Sequence, residues 1–356
     1  VDHKISKVID NISEIKDLTK IDLNEGNQDL ISYIGKDIDE LYLSKVKSLQ
    51  LRNEMKKTVK IVFSSQHGTA FPYVNNLLTQ EGYEIIVVAE QSNYDPDFSM
   101  TKTPNPEDHL SYELALKYAK KHDADLILSV DPDADRMGTV VKHNGEYVYL
   151  TGNQGGAILQ EYLYSTMIEK DMMPKNPIMF NTVVTSDLGD KIAKNYDVAV
   201  EKTLTGFKYI GEKIENHNIK GDKNFVFGYE ESYGYLIKDF VRDKDAVQAC
   251  LMLAEASNYY QSKNKTLVDV LNGLYDTYGY YYETQDSYTF EGPNGFEKIA
   301  NILHNFRNKN IEQLAGSKVL YFDDYLSQRR SDGSKIDLPK SNVLKYYLDD
   351  GSWIAV

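Results

Sequence analysis

One cysteine, Cys250, stands in 356 residues. A single thiol excludes an internal disulfide framework and a cysteine-built zinc site, and it fits a reducing compartment such as the cytoplasm. Tryptophan is equally scarce, and no run approaches the roughly 18 consecutive apolar residues that a membrane helix needs. The amino terminus, Val1-Asp2-His3-Lys4, lacks the basic-then-apolar layout of a secretory signal. Basic residues are outnumbered, 40 against 54 acidic, for a net charge of −14. Such a surface repels nucleic-acid phosphates and anionic lipid, and no basic run offsets it locally, so neither nucleic acid nor membrane is an expected partner. An anionic substrate must then be met by a local cluster of donors.

What is present suffices for globular domains. Apolar residues make up 41% and charged residues 26%, ordinary values that rule out a wholly disordered chain. The length predicts two or three domains. The 28 tyrosines read as residues lining half-buried surfaces.

Periodicity alternates strand and helix. Thr58–Ser64 is a continuous apolar strand, followed by a helix near Ala70–Leu78 and a strand at Tyr83–Ala89. Asp108–His122 has helical spacing and Asp125–Val130 is a buried-type strand. Thr139–Val141 and Tyr147–Leu150 form a hairpin around Asn144-Gly145. A second α/β unit follows, with helices at Gly152–Met167, Ser186–Asn195 and Phe207–Glu215 and strands at Ile178–Val184, Val198–Lys202 and Phe225–Phe227. Its opening, NPIMFNTVVTSD, echoes TVKIVFSSQHGTA, which hints at a repeated module. Helices near Asp245–Tyr260 and Leu267–Tyr278 lead into Tyr280–Phe290, a helix near Asn294–Asn308, and strands at Lys318–Tyr325, Val343–Leu348 and Trp353–Val356. The expected fold class is α/β: tandem similar mixed α/β/α domains, then a partial α+β domain. The expected boundaries are 1–35, 36–150, 151–279 and 280–356. Residues 1–35 read as the tail of an earlier domain. The chain also stops inside an apolar strand, so truncation at both ends is expected.

Asp131-Pro132-Asp133-Ala134-Asp135-Arg136 follows the strand DLILSV. Three carboxylates at alternate loop positions converge on one hard cation, and oxygen-only ligands point to magnesium, calcium or manganese. Arg136 beside them would clamp a phosphate. The carboxyl end of a strand is where open α/β sheets place ligands. An EF-hand is rejected, because Arg136 and Lys142 stand where it needs Gly and Glu. A solvated acidic turn without an ion and an aspartyl-phosphate phosphatase with an Asp nucleophile stay open at this point.

Gly228-Tyr229-Glu230-Glu231-Ser232-Tyr233-Gly234 follows the strand FVF. Glu230 and Ser232 offer a carboxylate and a hydroxyl suited to vicinal sugar hydroxyls, or else they cap the next segment. In Thr203-Leu204-Thr205-Gly206-Phe207-Lys208 the glycine admits a close ligand and the helix start favours an anion. Lys208 could donate to phosphate, act in proton transfer, or be a surface lysine. Thr103-Pro104-Asn105-Pro106-Glu107 reads as a stiff turn. Arg242-Asp243-Lys244-Asp245 opens a helix with Asp243 or Asp245 as cap. His67 could orient a phosphorylated group or be structural. No P-loop, nucleophile elbow or G-x-G-x-x-G occurs.

Together these motifs resemble those of the alpha-D-phosphohexomutases. DPDADR resembles the family's magnesium loop, with TPNPE before it. TLTGFKYIGEKI resembles its threonine-glycine-lysine segment, GYEESYG its sugar loop, and VRDKDA its arginine-lysine-aspartate segment. The wording is most similar to the bacterial, cytoplasmic alpha-phosphoglucomutase branch. The resemblance covers about Ile34 to Val356 and implies an intramolecular phosphotransferase, in which a phosphoserine exchanges phosphate with a hexose monophosphate. Glucose 1-phosphate and glucose 6-phosphate would interconvert through glucose 1,6-bisphosphate. It further implies Mg2+ on Asp131, Asp133 and Asp135, and Arg136 beside the phosphoserine. Glu230 and Ser232 would lie on the sugar hydroxyls, Lys208 near the reacting groups, and Thr205 and Gly206 beside it. The family's Thr-Ala-Ser-His-Asn-Pro loop and its Ser-Gly-Thr phosphate loop are not in these 356 residues, so the chain alone is expected to be inactive. Phosphomannomutase, a non-catalytic metal or hexose-phosphate binding module, and a phosphatase using Asp131 are the alternatives.

Overall fold

The computed structural model describes residues 2–9, 11–12, 25–26, 28–290 and 295–356. Parts of the expected 1–35 tail, and Asn294 at the start of the expected late helix, lie outside the described residues. Contacts divide the chain into two units, residues 1–45 and 46–356. The first contains α1 (Asp2–Ile9), a 3-10 turn at Gln28–Leu30 and most of α2 (Lys36–Lys47). Its described residues are exposed or half-buried.

The larger unit opens with a five-stranded sheet. In chain order come β1 (Lys60–Ser64), α3 (Phe71–Gln80), β2 (Glu84–Val87), α4 (Glu113–His122), β3 (Leu126–Val130), β4 (Met137–His143) and β5 (Glu146–Leu150). The spatial order is β2-β1-β3-β4-β5. The first three strands are parallel, and β4 and β5 turn back antiparallel. The continuous apolar runs of β1 and β3 are buried, as strands covered on both faces must be. Val62 and Ile127 pack with Ala115 and Ala119 of α4. The β4–β5 hairpin turns at Asn144-Gly145, both at positive φ, as its two-residue loop requires.

A second sheet repeats this plan. It is formed by α5 (Gly152–Glu169), β6 (Pro177–Thr182), α6 (Leu188–Asn195), β7 (Ala199–Thr203), α7 (Phe207–Lys220), β8 (Asn224–Glu230) and β9 (Gly234–Leu236). Its order is β7-β6-β8-β9, parallel in its first three strands and antiparallel in β9. The chain is thus α/β with tandem modules of one topology. The strand β9 is not legible in the sequence, because three residues carry too little pattern to register.

Next come α8 (Ala246–Gln261) and α9 (Leu267–Tyr278). Every residue of α8 from Ala246 to Asn258 is buried, apolar apart from Gln248, Glu255, Ser257 and Asn258, and a helix mainly apolar on all its faces is an interior element. It packs against α3, β3 and β4 of the first module and against α5 and β9 of the second. One polar residue inside it, Glu255, accepts from the Leu51 amide and the Tyr162 hydroxyl, both at 2.8 Å.

Tyr280–Phe290 has no regular structure, but Glu283 accepts from the Thr151 hydroxyl at 2.5 Å and from the Asn153 amide. Then follow α10 (Gly295–Asn308), β10 (Gln313–Leu314), β11 (Ser317–Asp324), β12 (Arg329–Arg330), β13 (Leu344–Leu348) and β14 (Trp353–Ala355). Their sheet is antiparallel, in the order β10-β11-β13-β14 with β12 beside β11. No described helix is long and apolar enough to cross a membrane.

Candidate active site at the junction of the two modules

The acidic loop leaves the carboxyl end of β3 and re-enters the sheet as β4. Ala134, at φ +62°, makes the tight reversal, and its amide donates to the Asp131 carbonyl at 3.1 Å. The loop organises around the buried Asp131 carboxylate. Its Oδ1 accepts the backbone amides of Asp135 (3.1 Å) and Arg136 (2.9 Å), and its Oδ2 accepts Arg136 Nε at 2.7 Å. Burial pushes Asp131 up to about 6, opposed by these Arg136 bonds and assisted by the nearby charge of Asp135. Asp133 is exposed and Asp135 half-buried, yet carboxylate oxygens of all three lie within 4.8 Å of one another. Two bonds of about 2.1–2.4 Å placed in line across one hard cation cover nearly that span, so the donor set and its spacing fit such an ion.

Arg136 is held more fully than the sequence reading foresaw. Beyond Asp131, its Nη1 donates to Glu107 at 3.0 Å and to Asn105 at 3.2 Å. The stiff turn Thr103–Glu107 therefore serves the arginine. Beneath the loop, the Thr69 amide donates to the Pro132 carbonyl at 2.9 Å. Neighbouring His67 is structural here: its ring nitrogens meet the Asn93 carbonyl and the Met100 amide.

The second module brings its own loop to the same place. Glu230 and the glycine before it belong to β8 rather than to a free loop, because Gly228 and Glu230 pair with Leu236 and Gly234 of β9. The reversal is confined to Glu231, Ser232 and Tyr233. Glu230 is buried and accepts the Gly206 amide at 2.6 Å. Gly206 sits at φ +117°, which side-chain-bearing residues rarely adopt, so glycine is required for that amide to face Glu230. Burial raises the Glu230 carboxyl above the usual range, opposed by the Gly206 amide. Glu231 accepts the hydroxyls of Thr182 (2.8 Å) and Thr185 (3.0 Å), fastening the reversal to the end of β6.

The two loops meet directly. Arg136 pairs with Gly234 as an isolated β-bridge, and the Met137 amide donates to the Tyr233 carbonyl at 3.0 Å. Ala246 at the start of α8 donates its amide to Ala134 at 3.1 Å, and Lys244 Nζ lies 2.7 Å from Asp135. Asp245 caps α8 through the amides of Val247 and Gln248, as the sequence suggests. Thr205 and Lys208 are exposed, with Lys208 in the first turn of α7. Gly206 of that segment donates to Glu230, and among the described residues no hydrogen bond or ion pair joins Lys208 to the aspartates. Asn105, Glu107 and Lys244 were missed as site residues. Their signal was the charged or amide side chain inside segments that read as a turn and a helix start.

This tandem arrangement is the fold of the phosphohexomutases. The crystal structure of parafusin from Paramecium, a phosphoglucomutase in its open form, matches with a TM-score of 0.56 and 19% identity over 90% of this chain and 54% of its own length. The chain belongs to the phosphoglucomutase/phosphomannomutase family: the profile of that family's alpha/beta/alpha domain II matches residues 40–145 and that of domain III residues 151–278. A phosphoglucomutase of Staphylococcus epidermidis is 34% identical over 98% of this chain and 64% of its own length. One of Staphylococcus aureus is 34% identical over 96% and 62%. The chain thus spans less than two thirds of these relatives.

Proposed function

We propose that this chain carries the metal-binding and sugar-recognition centre of a magnesium-dependent phosphoglucomutase, and that it divides at 36–150, 151–279 and 280–356. The observation that carries the reading is the junction of the aspartate loop with the β8–β9 reversal that Glu230 opens, drawn from two different modules. Asp131, Asp133 and Asp135 would hold Mg2+, which when bound neutralises charge on a transferring phosphoryl group. Arg136, fixed by Asp131, Glu107 and Asn105, would present its remaining face to phosphate. Glu230 and Ser232 would orient the sugar through its hydroxyls, with Thr205 and Gly206 bordering it. Lys208, exposed at the start of α7, would move a proton at the reacting hydroxyl. Positioning of this kind is the protein's main contribution to phosphoryl transfer.

The substrates proposed are glucose 1-phosphate and glucose 6-phosphate, exchanged through a phosphoserine and glucose 1,6-bisphosphate in a cytoplasmic enzyme. The phosphoglucomutase names of the staphylococcal relatives favour glucose over mannose. The serine-loop wording is absent from the 356 residues, so the chain by itself is proposed to be inactive. A coupled assay for glucose 6-phosphate tests this. No turnover is expected from the chain alone, and turnover is expected when a serine-bearing first domain is joined to it. Faster reaction of that joined protein with mannose 1-phosphate would overturn the glucose reading.

A further inference from the structure

Between the second module and the antiparallel sheet lies a cavity of about 350 Å3, at the small end of the range for metabolite sites. Val183 and Lys202, at the ends of β6 and β7, belong to one wall; Asp323, Arg330 and Lys345, on β11, β12 and β13, belong to the other. β7 is the edge of its sheet opposite β9, and neither the aspartate loop nor Glu230 lines the cavity. The lining is cationic in an acidic chain: Lys202, Arg330, Lys335 and Lys345 stand against two carboxylates, Asp187 and Asp323. Asp323 is committed to Arg330, which donates to it at 2.7 and 3.2 Å, and to the Tyr347 hydroxyl at 3.3 Å. Lys202 is held by Asp190 at 2.9 Å and lies 3.7 Å from Asp187. Lys345 is different. It is 4% exposed, donates to the Val183 carbonyl at 2.7 Å and stands 4.0 Å from the Trp353 ring. Among the described residues it forms no ion pair, and the charges of Asp187, Asp190 and Asp323 reach it only at a distance. An ammonium has three protons to donate, and a buried charge without a counter-charge is costly. Beside it the lining turns apolar at Tyr325, Ile336 and Leu338, which pack with Val183.

We propose that this cavity binds a metabolite-sized organic anion, with its oxyanion head on Lys345 and its apolar body against Tyr325, Ile336 and Leu338. The anion supplies the counter-charge that the surrounding side chains withhold. Because the walls come from the second module and from the antiparallel sheet, a bound anion also ties these two parts together. The site is separate from the metal loop and does not depend on the metal reading.

Trp353 is the one tryptophan of the 356 residues, so its fluorescence reports on the surroundings of Lys345. Titration of the chain with phenyl phosphate and with benzoate at pH 7 is expected to change that emission saturably, the tighter of the two naming the head group. Inorganic phosphate, which has no apolar body, is expected to bind about tenfold more weakly than phenyl phosphate; equal binding overturns the role of the apolar wall. Lys345→Met is expected to weaken the organic anions about tenfold or more. Leu338→Ala is expected to weaken phenyl phosphate about threefold and to leave inorganic phosphate unchanged. No saturable response, or a response that Lys345→Met retains in full, overturns the proposal. Crystals of the unaltered chain soaked with 4-bromophenyl phosphate keep the test independent of how the variants fold. Bromine beside Tyr325 and Leu338 is expected, and bromine found only elsewhere overturns the site.

Discussion

The amide of Met137 donates to the carbonyl of Tyr233 at 3.0 Å. The first residue of β4 and the turn between β8 and β9 are thus joined by backbone, and side-chain changes leave that bond available. Substitutions in the two loops are therefore expected to alter chemistry before they alter the junction.

Asp133→Asn removes one charged oxygen from a site with no nitrogen or sulfur ligand. Divalent-ion affinity is expected to fall roughly tenfold or more with little change in stability, since Asp133 is exposed. Isothermal titration of the serine-complemented protein with Mg2+ checks it. Unaltered affinity would move the metal site elsewhere.

Arg136→Met leaves Asp131 buried with two amides but without its guanidinium. Breaking a pair with one buried member costs about 3 kcal/mol. Urea denaturation at pH 7 is expected to show a loss of that order. The double variant Arg136→Met with Asp131→Asn should recover part of it, because the uncompensated charge is gone.

Glu230→Gln keeps an acceptor for the Gly206 amide but discards the charge. The fold is expected to persist. The KM for glucose 1-phosphate in the serine-complemented enzyme should rise on the order of tenfold, the value of one hydrogen bond to a charged group. Glu231→Ala acts differently. It removes the acceptor shared by the buried hydroxyls of Thr182 and Thr185, which lie 2.9 Å apart and can then donate only to one another, and should lower stability by about 1–3 kcal/mol, read from thermal melts of the chain alone.

Lys345 on β13 gives a pH prediction away from the candidate metal loop. Its ammonium is buried, donates to the Val183 carbonyl at 2.7 Å and lies 4.0 Å from the Trp353 ring. Burial lowers it from 10.5 to about 8; Lys202 lowers it further, and Asp187, Asp190 and Asp323 oppose the shift. Between those values the unfolded chain binds more protons than the folded one, so this group's contribution makes stability rise with pH. Lys345→Met abolishes that slope. The stability of the wild type relative to the variant should improve by about 3 kcal/mol from pH 8 to pH 10.5, measured by denaturant midpoints at each pH.

Much of the frame was legible because continuous apolar runs such as KIVFS and LILSV announce covered strands, and because Asn144-Gly145 specifies its own hairpin. The convergence of the aspartate loop was legible because three carboxylates at alternate positions of a short loop after a buried strand are brought close together, as the 4.8 Å cluster shows. The junction was not. Nothing in Gly234 or Ala246 betrays a partner a hundred residues away, since backbone groups pair without regard to side-chain type. Lys244 and Glu107 were hidden likewise, because a charge written into a turn or a helix start looks like solvation until a distant carboxylate or guanidinium is set beside it. The run Gly228–Gly234 read as loop because glycines mask the short ladder between β8 and β9.

The matching strand orders β2-β1-β3-β4 and β7-β6-β8-β9 give one address two tenants. The reversal after the third strand of each plan holds Asp131–Arg136 in one copy and Glu231–Tyr233 in the other. A repeated scaffold of this kind lets each copy carry a different set of side chains at the same address, three aspartates in one and a pair of glutamates in the other, while the backbone junction keeps both addresses within reach of each other.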